Sequence, residues 1–579
     1  MPSILIRNGT VVDGTGAPAY KADVRVVDGV IAEIGANLDV NGNRVIEADG
    51  CQVTPGFIES HTHYDGTMWW QPDLEPLPSY GATTVILGNC GFSPAPISND
   101  QAAQLEMIKI FSFFEDIPEQ LFIKNMPWDW RKWSEYKQSM QKHVRVPANY
   151  AAFVGHIAIR LAVMGLDAWE RVATPDEIAK MAELLDDALA AGALGLSDNL
   201  LDYDGEGRPI PTLVADDAEF EALFEVIERY PGTTYQVIVD IFMRKTGPES
   251  IDRLARLTKG RKIRMQVAGA IPTLEFQKDV LPVMQAQVDR LQAEGYDIWP
   301  GYSHVSPTQT ISIDRSLIFA QSNDYVWHEV VLAKDPAEKT RLLNDADWRA
   351  RARVSWDNEV WKHSPFANPQ SLHLRNSENG YGPINLTLEA YAASRGLHAS
   401  DAMAEWILNN GLGSTVHMAP FAKDEDVTVA LLNHPQTVGN ISDAGAHLQM
   451  FCGAGENILL LTKYVAEGRI SLEQAIHVMT GKLANFFGLA DRGVIAVGKR
   501  ADITVFHLDE IDRREEYKRF DVPMGDYKVS WRYTRDAAPM RMTMVNGVPT
   551  FIDGRFTGAM SGEFLSPVAE NEAMRIAAE

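Results

Sequence analysis

The sequence predicts an α/β protein: a (β/α)8 barrel joined to a small β domain that draws on both chain ends. Three observations carry this reading. The middle of the 579-residue chain alternates short apolar runs with amphipathic stretches, the pattern of parallel strands joined by helical crossovers. The two ends are instead rich in β-branched residues around Asn-Gly and Asp-Gly turns. Histidine, cysteine and aspartate stand at the ends of early and late strands. A barrel gathers such ends on one face, whereas an open sheet keeps its first and last strands apart.

In chain order, residues 4–12, 22–31 and 43–48 read as strands of the small domain. Pro55-Gly56 then introduces Phe57-Ile58, a short strand closed by His61 and His63. A second apolar strand, Thr83-Thr-Val-Ile-Leu87, runs into Gly88-Asn-Cys-Gly91. Further strands are expected at 150–155, 192–196, 234–239, 262–267 and 296–302, with helices at 174–191, 217–228 and 276–294. A late strand, Val438-Gly-Asn-Ile-Ser442, ends at Asp443. Two stretches interrupt the alternation. The one near 100–149 is aromatic-rich (Phe111-Ser-Phe-Phe114, Trp128, Trp130, Trp133), and the one near 326–380 holds Trp356, Trp361 and a mixed-charge helix over 337–353. They read as lids over the barrel mouth or as packing surfaces. β-rich sequence returns at 493–506 and 540–552. The expected division is 1–54 and 493–560 for the small domain, 55–492 for the barrel, and 561–579 for a polar, helix-like tail.

Composition narrows the function. A net charge of −25 argues against nucleic acid or an anionic membrane as partner. Three cysteines form no disulfide framework, and no apolar run approaches a membrane span or the core of a signal peptide. A cytoplasmic homo-oligomer acting on a small molecule is expected.

The chemistry starts at His61-Thr-His63. On an extended strand, residues two apart point the same way, so both imidazoles can converge on one cation. A histidine pair alone also suits a core or a surface. Cys90 and Asp443 at two further strand ends turn the balance toward a metal-dependent hydrolase.

With these residues in view, the chain resembles the amidohydrolase superfamily, and within it the N-acyl-D-amino-acid deacylase (D-aminoacylase) branch. The resemblance rests on Pro55-Gly-Phe-Ile-Glu-Ser-His-Thr-His63, Gly81-Ala-Thr-Thr-Val-Ile-Leu-Gly-Asn-Cys-Gly91, Trp128-Asp-Trp130, Val154-Gly-His156, Gly192-Ala-Leu-Gly-Leu-Ser197 and Ser442-Asp-Ala-Gly445. It implies a TIM barrel with a small β-sandwich domain built from both termini. It also implies metal ligation by His61, His63, Cys90 and Asp443, with Asp443 as general base. Two departures stand out. Relatives carry a histidine at the ends of the fifth and sixth strands, where this chain reads Thr234-Tyr-Gln-Val-Ile-Val-Asp240 and Lys262-Ile-Arg-Met-Gln-Val-Ala-Gly269. One zinc ion rather than two is therefore expected, in a site that Gln236, Asp240 or Gln266 could help rebuild. Relatives also follow the late aspartate with an arginine for the substrate carboxylate; here His447-Leu-Gln-Met-Phe-Cys-Gly453 follows. His156, Tyr203, Gln266, His304 and His447 are the candidate substrate contacts, while His417, His434 and His477 read as structural.

The leading expectation is a metal-dependent amidohydrolase that cleaves a C–N bond of an amide or cyclic amide. Beside it stand a mononuclear-metal enzyme of another reaction type (ester hydrolysis or decarboxylation) and a non-catalytic scaffold on the same fold.

Overall fold

A computed structural model of the chain describes residues 3–241, 246–270, 280–306, 308–313, 326–357, 372–418, 422–525 and 528–567. Its centre is a succession of parallel strands. Phe57–Glu59 pairs with Ala82–Leu87, which pairs with Asn149–Ala152. Val154–Gly155 continues the third strand and pairs with Gly195–Leu200, followed by Thr234–Val239, Arg264–Ala270 and Ile298–Tyr302. Gly301 bridges in parallel to Val438, and Ile441–Ala444 pairs in parallel with His61–Thr62, the extension of the first strand.

Alternation along these strands explains both faces. Ile58, Ile86, Phe153, Leu194 and Val438 lie on or beside different strands yet share one buried cluster with Leu483, Phe486 and Phe487. Their neighbours Val85, Leu87, Leu196, Val237, Val239, Met265 and Val267 pack with the surrounding helices. Each such side chain stabilises the fold by about 1.5–3 kcal/mol on burial. Helix boundaries follow local chemistry. Pro175–Ala190 begins at a capping box of Thr174 and Glu177 with proline in its first turn, and Asp216 caps Asp217–Glu228.

The fourth strand differs from expectation. Gly192 turns the chain at φ 94° after the helix, so pairing starts at Gly195 and takes in Ser197-Asp-Asn199. Those polar residues are tolerated in a buried strand because each has a partner. Ser197 Oγ accepts from Gly91 N at 3.1 Å, Asp198 meets His156 at 2.9 Å, and Asn199 donates to Asp202 at 2.7 Å. The helix expected over 337–353 is two helices, Pro336–Asn344 and Ala346–Trp356, because Asp345 caps the second. The start of the expected 276–294 helix and Trp361 lie outside the described residues; its described part is Val280–Ala293.

Between the seventh and eighth parallel strands sits a separate layer. Gln309–Ser312, Thr415–Met418, Leu372–Asn376 and Leu386–Thr387 form an antiparallel sheet whose core includes Trp327, Trp348, Trp356 and Trp406. Among the described residues, a nine-stranded sheet joins both ends of the chain. In it Gln52–Pro55 pairs antiparallel with Ile503–Phe506, which pairs with Met542–Val545. Gly56 is the hinge from this sheet into the first parallel strand, since a Cβ there would lie 2.1 Å from the Thr83 side chain. A hairpin of Glu516–Gly525 and Lys528–Arg535 reaches from the same part of the chain to the loop after the eighth strand, where Tyr533 N donates to Leu448 O at 2.8 Å. The start of the expected loose tail is pinned: Tyr150 N donates to Glu563 O at 3.0 Å and Leu565 N to Tyr150 O at 2.8 Å. Residues 568–579 lie outside the described residues.

Asp502 ties the two layers together. Its carboxylate accepts from Asn149 Nδ2 at 2.9 Å and Asn546 N at 2.7 Å, and it pairs with the buried Arg492 guanidinium. Asp502→Ala leaves that guanidinium buried without its main counter-charge, so urea unfolding should register a loss of about 3–5 kcal/mol. A loss under about 1 kcal/mol would show that the junction does not depend on this pair.

Candidate metal centre

Four side chains converge at the C-terminal ends of the first, second and eighth parallel strands. One donor atom each from His61, His63 and Cys90 lie within 4.8 Å of one another, and all three residues are buried. His61 Nε2 is 3.1 Å from Cys90 Sγ. Asp443 Oδ1 lies 3.2 Å from His63 Nε2 and 3.7 Å from His61 Nε2. Ligands at about 2.0–2.3 Å around a tetrahedral zinc stand roughly 3.3–3.7 Å apart, so this donor set has a suitable spacing. Nitrogen, thiolate and carboxylate are also the ligand types that zinc takes.

His63, Cys90 and Asp443 are each held by their surroundings. His63 Nδ1 lies 3.1 Å from Glu115 Oε1, a buried carboxylate at the end of helix Gln101–Glu115. This contact directs the opposite ring nitrogen toward Asp443, as outer carboxylates do for metal-binding histidines. Cys90 sits in a left-handed turn with φ 55°, between Gly88 and Gly91 at φ 70° and 75°. Asp443 and His447 share that conformation at φ 56° and 49°. His447 Nε2 is 3.6 Å from Asp443 Oδ2, and its Nδ1 is 4.0 Å from Asp116 Oδ2. Phe92 packs on Phe114 with ring centres 4.7 Å apart and lies 6.5 Å from His63, giving the site an aromatic flank.

The electrostatics of His61 and Cys90 suit a cation; His63, which burial alone would lower, is raised well above the ordinary histidine value by Glu115 and Asp443, so a bound metal would have to displace that proton. Burial lowers His61 to a pKa of about 4, which leaves a neutral imidazole with a free lone pair. Burial pushes the Cys90 thiol up to about 12 although His63 opposes this, so an added positive charge is what would hold it as thiolate. Asp443, whose side chain is 33% exposed, stays well below the usual carboxylate range; burial opposes this, and the contact with His63 outweighs it.

The profile of the amidohydrolase family matches residues 44–351 and 384–551. The chain belongs to the amidohydrolase family. It is 26% identical to D-aminoacylase of Alcaligenes xylosoxydans xylosoxydans over 578 residues, covering 98% of both. To N-acyl-D-glutamate deacylase of the same organism it is 28% identical over 566 residues, 95% of this chain and 93% of the relative. A crystal structure of D-aminoacylase superposes with TM-score 0.65 at 24% identity, covering 97% of this chain and 99% of that one. N-acyl-D-glutamate deacylase from Bordetella bronchiseptica, complexed with zinc and a phosphonate inhibitor, superposes with TM-score 0.64 at 24% identity and the same coverage. The fold is thus that of a TIM barrel with an additional domain. The protein is a D-aminoacylase-like amidohydrolase, a hydrolase of carbon–nitrogen bonds other than peptide bonds.

The remaining candidates of this amidohydrolase occupy different places. His447 adjoins Asp443, as described. Gln266 is fully buried on the sixth strand in register with Gln236, and among the described residues neither of its amide atoms has a hydrogen-bond partner. His304 is buried beside the loop after the eighth strand, its Nε2 3.0 Å from Glu456 O, with Lys423 on its carbonyl. Tyr203 is half-buried and bridges to Pro209 in the loop after the fourth strand. His156 is wholly buried, its ring nitrogens 2.9 Å from Asp198 and 2.7 Å from Glu219. Glu115 and Asp116 were not anticipated; two acids directly following Phe111-Ser-Phe-Phe114 were the available signal.

His61→Ala and His63→Ala should each abolish turnover and sharply reduce bound metal, measured by elemental analysis; a variant retaining both would remove that residue from the ligand set. A second expectation concerns His156. Burial favours its neutral form, but Asp198 and Glu219 outweigh burial and raise its pKa to about 9. The stability it supplies is complete below the unfolded value near 6.5 and is lost as pH rises through about 9. His156→Gln should therefore be less stable than the parent in urea at pH 6, with the gap narrowing by pH 10. A gap independent of pH would contradict the charged state.

Proposed function

We propose that this amidohydrolase uses one zinc ion, held by His61, His63, Cys90 and Asp443, to hydrolyse a neutral amide or cyclic amide. The reading takes the parallel strands as a closed (β/α)8 barrel spanning 55–492, with the nine-stranded sheet as part of a β-sandwich domain. The observation that carries it is the convergence of His61, His63 and Cys90 within 4.8 Å of one another beside Asp443. Zinc at such a site supplies Lewis-acid activation of a carbonyl and of water.

The chain's own residues do the rest. Asp443 is ionised and partly exposed, so one carboxylate oxygen can accept a proton from the attacking water and pass it to the departing nitrogen. His447 stands 3.6 Å from its other oxygen and steadies its orientation. Glu115 fixes the His63 ring. Phe92 and Phe114 keep bulk water from one side of the reacting carbonyl. Only one cation is invoked, because the fifth and sixth strands, Thr234–Val239 and Arg264–Ala270, hold no histidine.

Substrate charge follows from what succeeds Asp443. His447 lies between two carboxylates, Asp443 and Asp116, with Glu115 nearby. A substrate carboxylate would meet negative charge there rather than an arginine fork. Deacylase activity on N-acyl-D-amino acids is the function of the relatives; for this chain we assign uncharged lactams, imides or N-acyl amines instead.

Asp443→Asn keeps an oxygen donor but not the basicity, and turnover should fall at least ~100-fold with the fold and much of the metal retained. Near-normal turnover with an unchanged pH profile would place the base elsewhere. In a panel of N-acyl-D-amino acids, lactams, imides and N-acyl amines, the uncharged compounds should give the higher kcat/KM; preference for the acidic ones would overturn the assigned class.

A further inference from the structure

The loop that carries Cys90 is a strained structure in which three backbone N–H groups donate to side chains from elsewhere in the chain. Gly88, Cys90 and Gly91 have φ of 70°, 55° and 75°. For cysteine this left-handed conformation is strained, so the surroundings must impose it. Gly88 N donates to Asp65 Oδ2 at 3.2 Å, Cys90 N to Gln236 Oε1 at 2.9 Å, and Gly91 N to Ser197 Oγ at 3.1 Å. The Asn89 side chain ties the loop to Thr62 O and Ile86 O at 3.2 and 3.0 Å.

Gln236 is the anchor closest to the donor sulfur. It lies on the fifth strand, in register with Ser197 on the fourth and Gln266 on the sixth, and it is fully buried. Its carbonyl oxygen is occupied by the Cys90 amide, and among the described residues its Nε2 has no partner. A buried carboxamide whose one bond among the described residues runs to the loop is set by that bond.

Building on the zinc site proposed above, we infer that Gln236 is a positioning residue for Cys90: through the Cys90 N–H it fixes the left-handed turn that aims Sγ at His61 and His63. The fifth strand thus supports the metal through the cysteine loop instead of ligating it.

Cobalt reports on this directly, because a thiolate on Co(II) gives a near-ultraviolet charge-transfer band that other ligands do not. Metal-free wild type, Gln236→Met and Gln236→Glu are titrated with cobalt, and affinity and band are read together. Wild type should show the band. Gln236→Met keeps the volume but removes the acceptor; its affinity should fall about 10- to 100-fold and its band should weaken or vanish. Gln236→Glu still offers an acceptor oxygen to Cys90 N–H and should keep the band. If the Met variant does not fold, the Glu variant decides alone: folded protein lacking the band overturns the inference. A Met variant with unchanged affinity and band overturns it too. Wild type that binds cobalt without the band would instead remove Cys90 from the ligand set, and the inference with it.

Discussion

The hydrogen bonds between the first and eighth parallel strands are the constraint on which the site depends. Ser60 N donates to Asn440 O and His63 N to Ala444 O, at 3.3 and 2.8 Å, and Ile441 stands opposite His61. This pairing brings Asp443 to within 3.2 Å of a histidine from the other end of the barrel sequence. Before it, the intervening strands must each add in parallel beside the last; after it, Asn440 at φ 56° and Asp443 at φ 56° turn the chain so that the carboxylate faces the donors. Ser60 supports the same seam, its hydroxyl donating to Gly439 O at 2.6 Å.

Strain and buried charge gather at that seam. Cys90, Asn440, Asp443 and His447 are non-glycine residues held in left-handed backbone, at roughly 1–3 kcal/mol each. Glu59 and Asp65, flanking the two histidines, are buried so completely that their carboxyl groups rise to about 7. Such features persist only where packing over-determines them, and here helix Gln101–Glu115 does so, sharing a buried cluster with Cys90 and Phe92 and placing Glu115 on His63.

Much of this was legible in the chain itself. His61, His63, Cys90 and Asp443 each close an apolar run, and strand ends are where a barrel assembles chemistry. The β-rich ends suggested only that both contribute strands; residues 52–55, which pair with 503–506, lie outside the strands read from the sequence. What escaped has physical reasons. Glu115 and Asp116 belong to an inserted helix, and nothing local tells an acid that ends an apolar helix from a solvated cap. The fourth strand was placed early because Ser197-Asp-Asn199 lacks an apolar pattern; tertiary partners, not periodicity, make it a strand. His156 was legible as a residue of consequence, but its two carboxylate partners come from another strand and a helix, Asp198 and Glu219. Between the seventh and eighth strands, the antiparallel sheet depends on pairings across long sequence separations that local pattern does not carry.

The central claim is that one ion is bound by nitrogen, sulfur and oxygen from His61, His63, Cys90 and Asp443. X-ray absorption at the zinc edge of zinc-loaded protein tests it most directly. The account predicts one zinc per chain with a single sulfur scatterer at about 2.3 Å and nitrogen or oxygen neighbours at about 2.0–2.2 Å. A shell of light atoms alone, or two zinc ions per chain within scattering distance of each other, would contradict it.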